Sequence, residues 1–177
     1  MMKIPLLDLP AQYESIQDEI DDVVLSVMKK GAFILGSNVH AFEEEIAEYL
    51  GVEHAIGVAS GTDALLIGLR SLGIGPGDEV VVPAYTFFAT AEVVKTLGAT
   101  PVIVDVDPST YNMDVLQLER LLGNRTKAII PVHLFGLPAD MGPILALAES
   151  RGIRVIEDNA QAIGAEYQGR KTGAIRN

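Results

Sequence analysis

The chain has 177 residues, 49% of them hydrophobic, which is enough for a domain with a real core. It contains no cysteine, so a disulfide framework, a thiol nucleophile and a cysteine-based metal site are excluded. With 13 Lys and Arg against 24 Asp and Glu the formal net charge is −11, which argues against a nucleic-acid or anionic-membrane partner.

The opening stretch "MMKIPLLDLPAQYESIQ" lacks a cationic region followed by a long apolar one, so no signal peptide is expected. No uninterrupted apolar run approaches about 18 residues, so no membrane span is expected either. The expectation is a soluble cytoplasmic protein.

Residues 1–50 read as a helical N-terminal arm. In "YESIQDEIDDVVLSVMKKG" the apolar residues Ile16, Ile20, Val23, Val24, Val27 and Met28 fall at helical spacing. Gly31 fits just past the helix end, and Lys29 and Lys30 suit the negative pole of the last turn. "HAFEEEIAEYLG" repeats the pattern with Phe42, Ile46, Tyr49 and Leu50, and Glu43 to Glu45 form its wet face.

From residue 54, within the remaining stretch 51–177, the rhythm becomes strand and helix in turn. "HAIGVAS" reads as a short strand. "GTDALLIGLRSLG" reads as a helix apolar almost all round, hence buried on several sides. "EVVVPA", "TPVIVDVD", "KAIIPVHLFG" and "IRVIEDNA" read as strands; "TFFATAEVVKTLG", "MDVLQLERLLG" and "ADMGPILALAESRG" read as helices. Asp140 is a candidate N-cap for the last of these, and "YQGRKTG" reads as a surface hairpin. Continuous apolar strands alternating with helices predict an α/β fold, a mainly parallel sheet with helices on both faces.

In such sheets a ligand sits at the carboxyl ends of the strands. At one end stand Ser60, Gly61 and Thr62, where Gly61 admits close backbone approach and the first helical turn offers free N–H groups to an anion. Ordinary N-capping explains the same residues. At the next end Tyr85, Phe87 and Phe88 crowd one turn; one could stack on a flat ligand, although core packing is the commoner use of such rings. His133 ends another strand and reads as a packed, hydrogen-bonded histidine. With His40 and His54 scattered elsewhere, no metal site is expected.

Asp158 and Gln161 end the last strand. A carboxylate at the tip of a core strand is costly to desolvate unless it meets a cation or a donor. A phosphate cradle, an aromatic wall and this carboxylate together suit a flat, phosphorylated, cationic heterocycle, and pyridoxal 5′-phosphate (PLP) is such a molecule. "GIGPGD" follows a helix and carries turn chemistry, so it is not a dinucleotide fingerprint, and no P-loop pattern is present.

The ordered stretches "SGTDAL", "GPGDEVVVPAYTFFAT", "GATPVIVDVDP", "TKAIIPVHLFG" and "VIEDNAQAIGA" resemble the DegT/DnrJ/StrS-type sugar aminotransferases, fold-type I PLP enzymes, from about Pro5 to Gly173. The resemblance implies that Gly61 and Thr62 contact the PLP phosphate and that Asp63 offers its N–H beside them. It implies that Phe87 stacks on the pyridine ring, that Asp158 partners the ring nitrogen and that Gln161 bonds the phenolic oxygen. It further implies a homodimer that moves an amino group from glutamate or glutamine to a keto group on a nucleotide-linked deoxysugar.

Such enzymes hold PLP on a Schiff-base lysine in a segment beyond the "GAI" of this chain. Lys3, Lys29, Lys30, Lys95, Lys127 and Lys171 do not match that segment. The expectation is therefore a truncated PLP-transferase large domain at 51–177, with the C-terminal small domain and the lysine absent and the fragment inactive alone. Two alternatives remain: a sugar dehydratase of the same fold, and a non-catalytic binding module derived from it.

Overall fold

The computed structural model describes Pro5 and residues 7–175, so Lys3, Arg176 and Asn177 lie outside the described residues. Contacts divide the chain into two units, Met1–Ile46 and Ala47–Asn177.

The first unit holds α1 (Leu9–Lys30) and the start of α2 (Ser37–Leu50). Helix α1 begins earlier than its apolar spacing suggests. Asp8 accepts the N–H of Ala11 at 3.1 Å and Pro10 sits in the first turn, where its missing N–H costs nothing. The helix kinks at Ile16 and ends, as expected, at left-handed Gly31, whose N–H reaches the carbonyl of Val27.

The second unit is built on a four-stranded parallel sheet. Its strands are β1 (Glu79–Pro83), β2 (Thr100–Val104), β3 (Thr126–Ile129) and β4 (Arg154–Val155), in the order β2-β1-β3-β4. Alternation along the strands sends side chains to opposite faces. Val80, Val82, Ala128 and Ile130 pack with Leu65 and Leu69 of α3 (Gly61–Ser71) and Val93 and Val94 of α4 (Ala89–Thr96). Val81, Val104 and Ile129 pack the other way, on Leu118 of α5 (Val115–Leu121) and Met141, Ile144 and Ala148 of α6 (Met141–Arg151). Helices thus cover both faces, and the α/β parallel fold read from the sequence is the one present.

Three local expectations need correcting. Residues 54–60 form no strand, and Ile56 is 81% exposed. Helix α3 buries only Leu65 and Leu69, and Ile67 is half-exposed, so its apolar surface is covered on one side. Asp140 occupies the N-cap of α6 but makes no capping bond; the Tyr167 hydroxyl accepts the Gly142 N–H at 3.0 Å and donates to Asp140 at 2.7 Å. Tyr167 reaches that helix end from the hairpin β5 (Glu166–Tyr167) and β6 (Arg170–Lys171), where a surface hairpin was expected.

Candidate functional site

The carboxyl ends of the strands enclose a cavity of about 260 Å³. It is lined from α3 by Gly61, Thr62 and Leu65, from the β1–α4 connection by Thr86, Phe87, Ala89 and Thr90, from the end of β3 by Val132, and from beyond β4 by Asp158, Ala160 and Gln161. Five of the six residues to which the resemblance gives cofactor roles therefore meet in one space; Asp63 does not line it.

The start of α3 explains the difference. Ser60 caps the helix, its Oγ accepting the Asp63 N–H at 3.1 Å and donating to the Asp63 carboxylate at 2.8 Å. Both polar ends of Asp63 are thus engaged. The N–H groups of Gly61 and Thr62 have no acceptor among the described residues, and the positive end of the helix dipole reinforces them. A Cβ built on Gly61 meets nothing within 4 Å, so the glycine leaves open the space an approaching anion would fill.

Phe87 is 72% exposed and Phe88 and Tyr85 are exposed as well, which corrects the core-packing reading of this aromatic group. The cause is local: α4 begins only at Ala89, so residues 85–88 form the connection leading out of the sheet.

Asp158 is half-buried rather than buried. Its strand continues past Val155 as single ladder bonds: the Asp158 N–H donates to the Pro131 carbonyl at 2.9 Å, and its carbonyl accepts the His133 N–H at 3.1 Å. The carboxylate accepts the Thr90 hydroxyl at 3.1 Å on Oδ2 and the Ala160 N–H at 3.3 Å on Oδ1. Thr90 is itself buried and its Oγ1 lies 3.1 Å from that of Thr86, four residues earlier. Gln161 lies across the cavity and accepts the Phe135 N–H at 3.1 Å through Oε1.

Beneath the site lies a polar knot that the sequence did not reveal. His133 is fully buried, and its Nε2 lies 2.8 Å from Glu157 Oε2. Its Nδ1 accepts the Ala139 N–H at 3.0 Å, so the ring proton is on Nε2 and points at Glu157. The Glu157 carboxylate also accepts the N–H groups of Gly173 and Ile175, each at 2.9 Å. His133 is the packed histidine expected. For neither Thr90 nor Glu157 did a local signal exist, since Thr86, the partner of Thr90, lies before the start of α4.

None of the described lysines lines the cavity. Lys171 donates to the Tyr49 carbonyl at 2.5 Å and sits 3.4 Å above the centre of the Tyr49 ring. Among the described residues no helix is long and apolar enough to cross a membrane.

Comparison with known proteins gives one consistent answer. The chain is 54% identical over 172 residues to the UDP-N-acetyl-3-dehydro-alpha-D-glucosamine 3-aminotransferase of Acidithiobacillus ferrooxidans, covering 97% of this chain and 47% of that protein. Its fold matches the crystal structure of S. venezuelae DesV with a TM-score of 0.96 at 45% identity, over 99% of this chain and 47% of the other. The structure of NtdA from Bacillus subtilis with bound cofactor PMP matches with a TM-score of 0.91 at 36% identity, over 97% and 40%. The chain spans about half the length of the curated relatives it matches. A family model matches residues 14–177 on the same basis, and the chain belongs to the DegT/DnrJ/EryC1/StrS aminotransferase family.

Proposed function

We propose that the protein carrying this chain is a PLP-dependent aminotransferase acting on a keto group of a nucleotide-linked deoxysugar, with glutamate or glutamine as donor. The observation that carries this reading is the convergence of Gly61, Thr62, Phe87, Asp158 and Gln161 on one cavity. When bound, PLP supplies an electron sink for bond-breaking at the amino-bearing carbon.

The residues of this chain fit that group. The N–H groups of Gly61 and Thr62, with the Thr62 hydroxyl, hold the phosphate at the start of α3. Phe87, which lines the same cavity, would offer its ring to the pyridine. Asp158, steadied by Thr90 and the Ala160 N–H, keeps a proton on the ring nitrogen. Gln161 donates to the phenolic oxygen. Asp63 serves the helix cap rather than the cofactor. In this reading residues 1–50 are an arm, 51–177 are part of the cofactor domain, and the whole protein is a cytoplasmic homodimer.

The covalent anchor is not among the lysines described here, and Lys171 is held by Tyr49. The chain alone is therefore expected to bind the cofactor without turning over substrate. The test is a spectroscopic titration of the chain with pyridoxamine phosphate (PMP), which needs no lysine. Saturable binding, weakened about 10- to 100-fold by Asp158→Asn, supports the reading. Affinity indifferent to Asp158 refutes it. Borohydride reduction with PLP should leave no stoichiometric adduct, and one at Lys171 would overturn the missing-anchor step.

A further inference from the structure

Between β3 and α6 the chain makes a short 3₁₀ turn over Leu134–Gly136, in which Phe135 stands in the left-handed region, with φ 51° and ψ 27°. A bulky residue avoids that region because its Cβ crowds the backbone carbonyl. Such strain persists only where the surroundings over-determine it. Here they do. The buried Asn112 side chain accepts the Leu134 N–H at 3.4 Å and donates to the carbonyls of Leu137 and Pro138, each at 3.0 Å. Leu137 N–H closes back on the Leu134 carbonyl at 3.0 Å. His133, just before the turn, is locked between Glu157 and the Ala139 N–H.

This rigid turn does one thing at the cavity: it aims the Phe135 N–H at Gln161 Oε1, 3.1 Å away. Packing does not account for Phe135, whose side chain is 74% exposed. The bond settles which way the Gln161 amide faces, because a backbone N–H can only donate. The oxygen is taken, and Nε2 has no partner among the described residues.

We propose that Phe135 is a positioning residue: its strained backbone N–H fixes Gln161 so that the cavity meets an NH₂ donor and never a carbonyl oxygen. The site is thereby set to take a ligand with an anionic or phenolic oxygen at this position, and to reject one that offers a donor there. This rests on the cofactor reading above, in which that oxygen is the phenolic oxygen of PLP or PMP.

The test joins an amide-exchange measurement to a double-mutant cycle. The Phe135 amide should exchange at least about tenfold more slowly than an unprotected one in the unsubstituted chain, despite its exposed side chain, and lose that protection in Gln161→Leu. Phe135→Pro, which removes the N–H and, because its ring fixes a negative φ, also undoes the left-handed turn, and Gln161→Leu should each weaken PMP binding about tenfold. The double variant should bind no more weakly than either single one, since either change alone leaves the cavity without the fixed Gln161 NH₂ donor. An unprotected Phe135 amide in the unsubstituted chain, or additive losses in the double variant, overturns the proposal. If Phe135→Pro does not fold, the exchange comparison decides alone. If the chain binds no PMP while Gln161 still protects the Phe135 amide, the cofactor reading fails and the lock stands.

Discussion

Replacing Glu157 by glutamine should unfold this chain far more readily than an acid-to-amide change at a surface would. The Glu157 side chain is 9% exposed and faces three fixed donors, the Nε2–H of His133 and the N–H groups of Gly173 and Ile175. A glutamine has one acceptor oxygen. With that oxygen in the Oε2 position, His133 and Gly173 stay bonded and the NH₂ group is pushed against the Ile175 N–H. In the opposite orientation two donors are opposed. His133 cannot relieve the clash by moving its proton to Nδ1, because Nδ1 already accepts the Ala139 N–H. The better orientation leaves one buried donor unsatisfied, about 1–3 kcal/mol, and the two surviving bonds lose their charged acceptor. We expect about 2–4 kcal/mol in all, a large share of a domain's ~5–15 kcal/mol. In urea, with a slope of roughly 2 kcal/mol/M, the midpoint should fall by about 1–2 M without a change of slope. A fall of less than about 0.5 M would mean that Glu157 is not the clamp that ties residues 173–175 to the strand ends.

Other substitutions separate stability from binding. Gly61→Ala should change stability by less than about 1 kcal/mol, since its Cβ meets nothing within 4 Å, yet weaken PMP binding roughly tenfold by filling the approach to the helix N–H groups; denaturation and titration of one preparation check both. Thr90→Val keeps the packing but removes the hydroxyl held 3.1 Å from Asp158, so about 1 kcal/mol of stability and a severalfold part of the PMP affinity should go with it. The hydrogen bond from Tyr167 to Asp140, aided by burial, raises the phenol pKa above its ordinary 10.0. The folded value then exceeds the unfolded one. Its stabilisation is complete below about pH 10 and disappears as pH rises through the folded value. Tyr167→Phe should abolish that alkaline loss in a pH series of denaturation midpoints.

What the sequence made legible follows from how local its cause was. The strands of the sheet announced themselves as continuous apolar runs such as Val80–Val82, because both faces are covered by helices. Asp158 and Gln161 could be picked out because they follow the end of a strand, and parallel strands bring such ends to one edge. Gly61 and Thr62 stand at a helix start with no strand before it, and the resemblance alone singles out Phe87 among three rings. Asp63 shows why composition is ambiguous at a helix start, where a residue serves the cap and a ligand equally well on paper; here its N–H is bonded to the Ser60 hydroxyl. Residues 54–60 have strand-like composition but form no strand, because β-propensity depends on tertiary context more than on composition. The left-handed turn at Phe135 is hidden because Gly136 beside it offers the obvious flexible residue. The strain sits one position earlier, in a turn held by the Asn112 side chain from elsewhere in the chain.

The adjacent acids Glu157 and Asp158 show how one strand end can do two unlike jobs. Side chains alternate across a strand, so neighbouring carboxylates leave on opposite sides. Glu157 meets donors supplied wholly by the protein and has no oxygen turned to the cavity. Asp158 receives only one hydroxyl and one long N–H bond, and it lines the cavity with acceptor capacity to spare. The desolvation cost of the first is offset inside the fold; that of the second falls when a cation arrives. The two isosteric changes should therefore divide cleanly. Asp158→Asn should lower stability by less than about 1 kcal/mol while costing about 10- to 100-fold in PMP affinity. Glu157→Gln should do the reverse, with the surviving folded fraction binding PMP within a fewfold of the unsubstituted chain. Equal effects of the two on both quantities would show that the acids form a single coupled unit, and that the site cannot be separated from the scaffold beneath it.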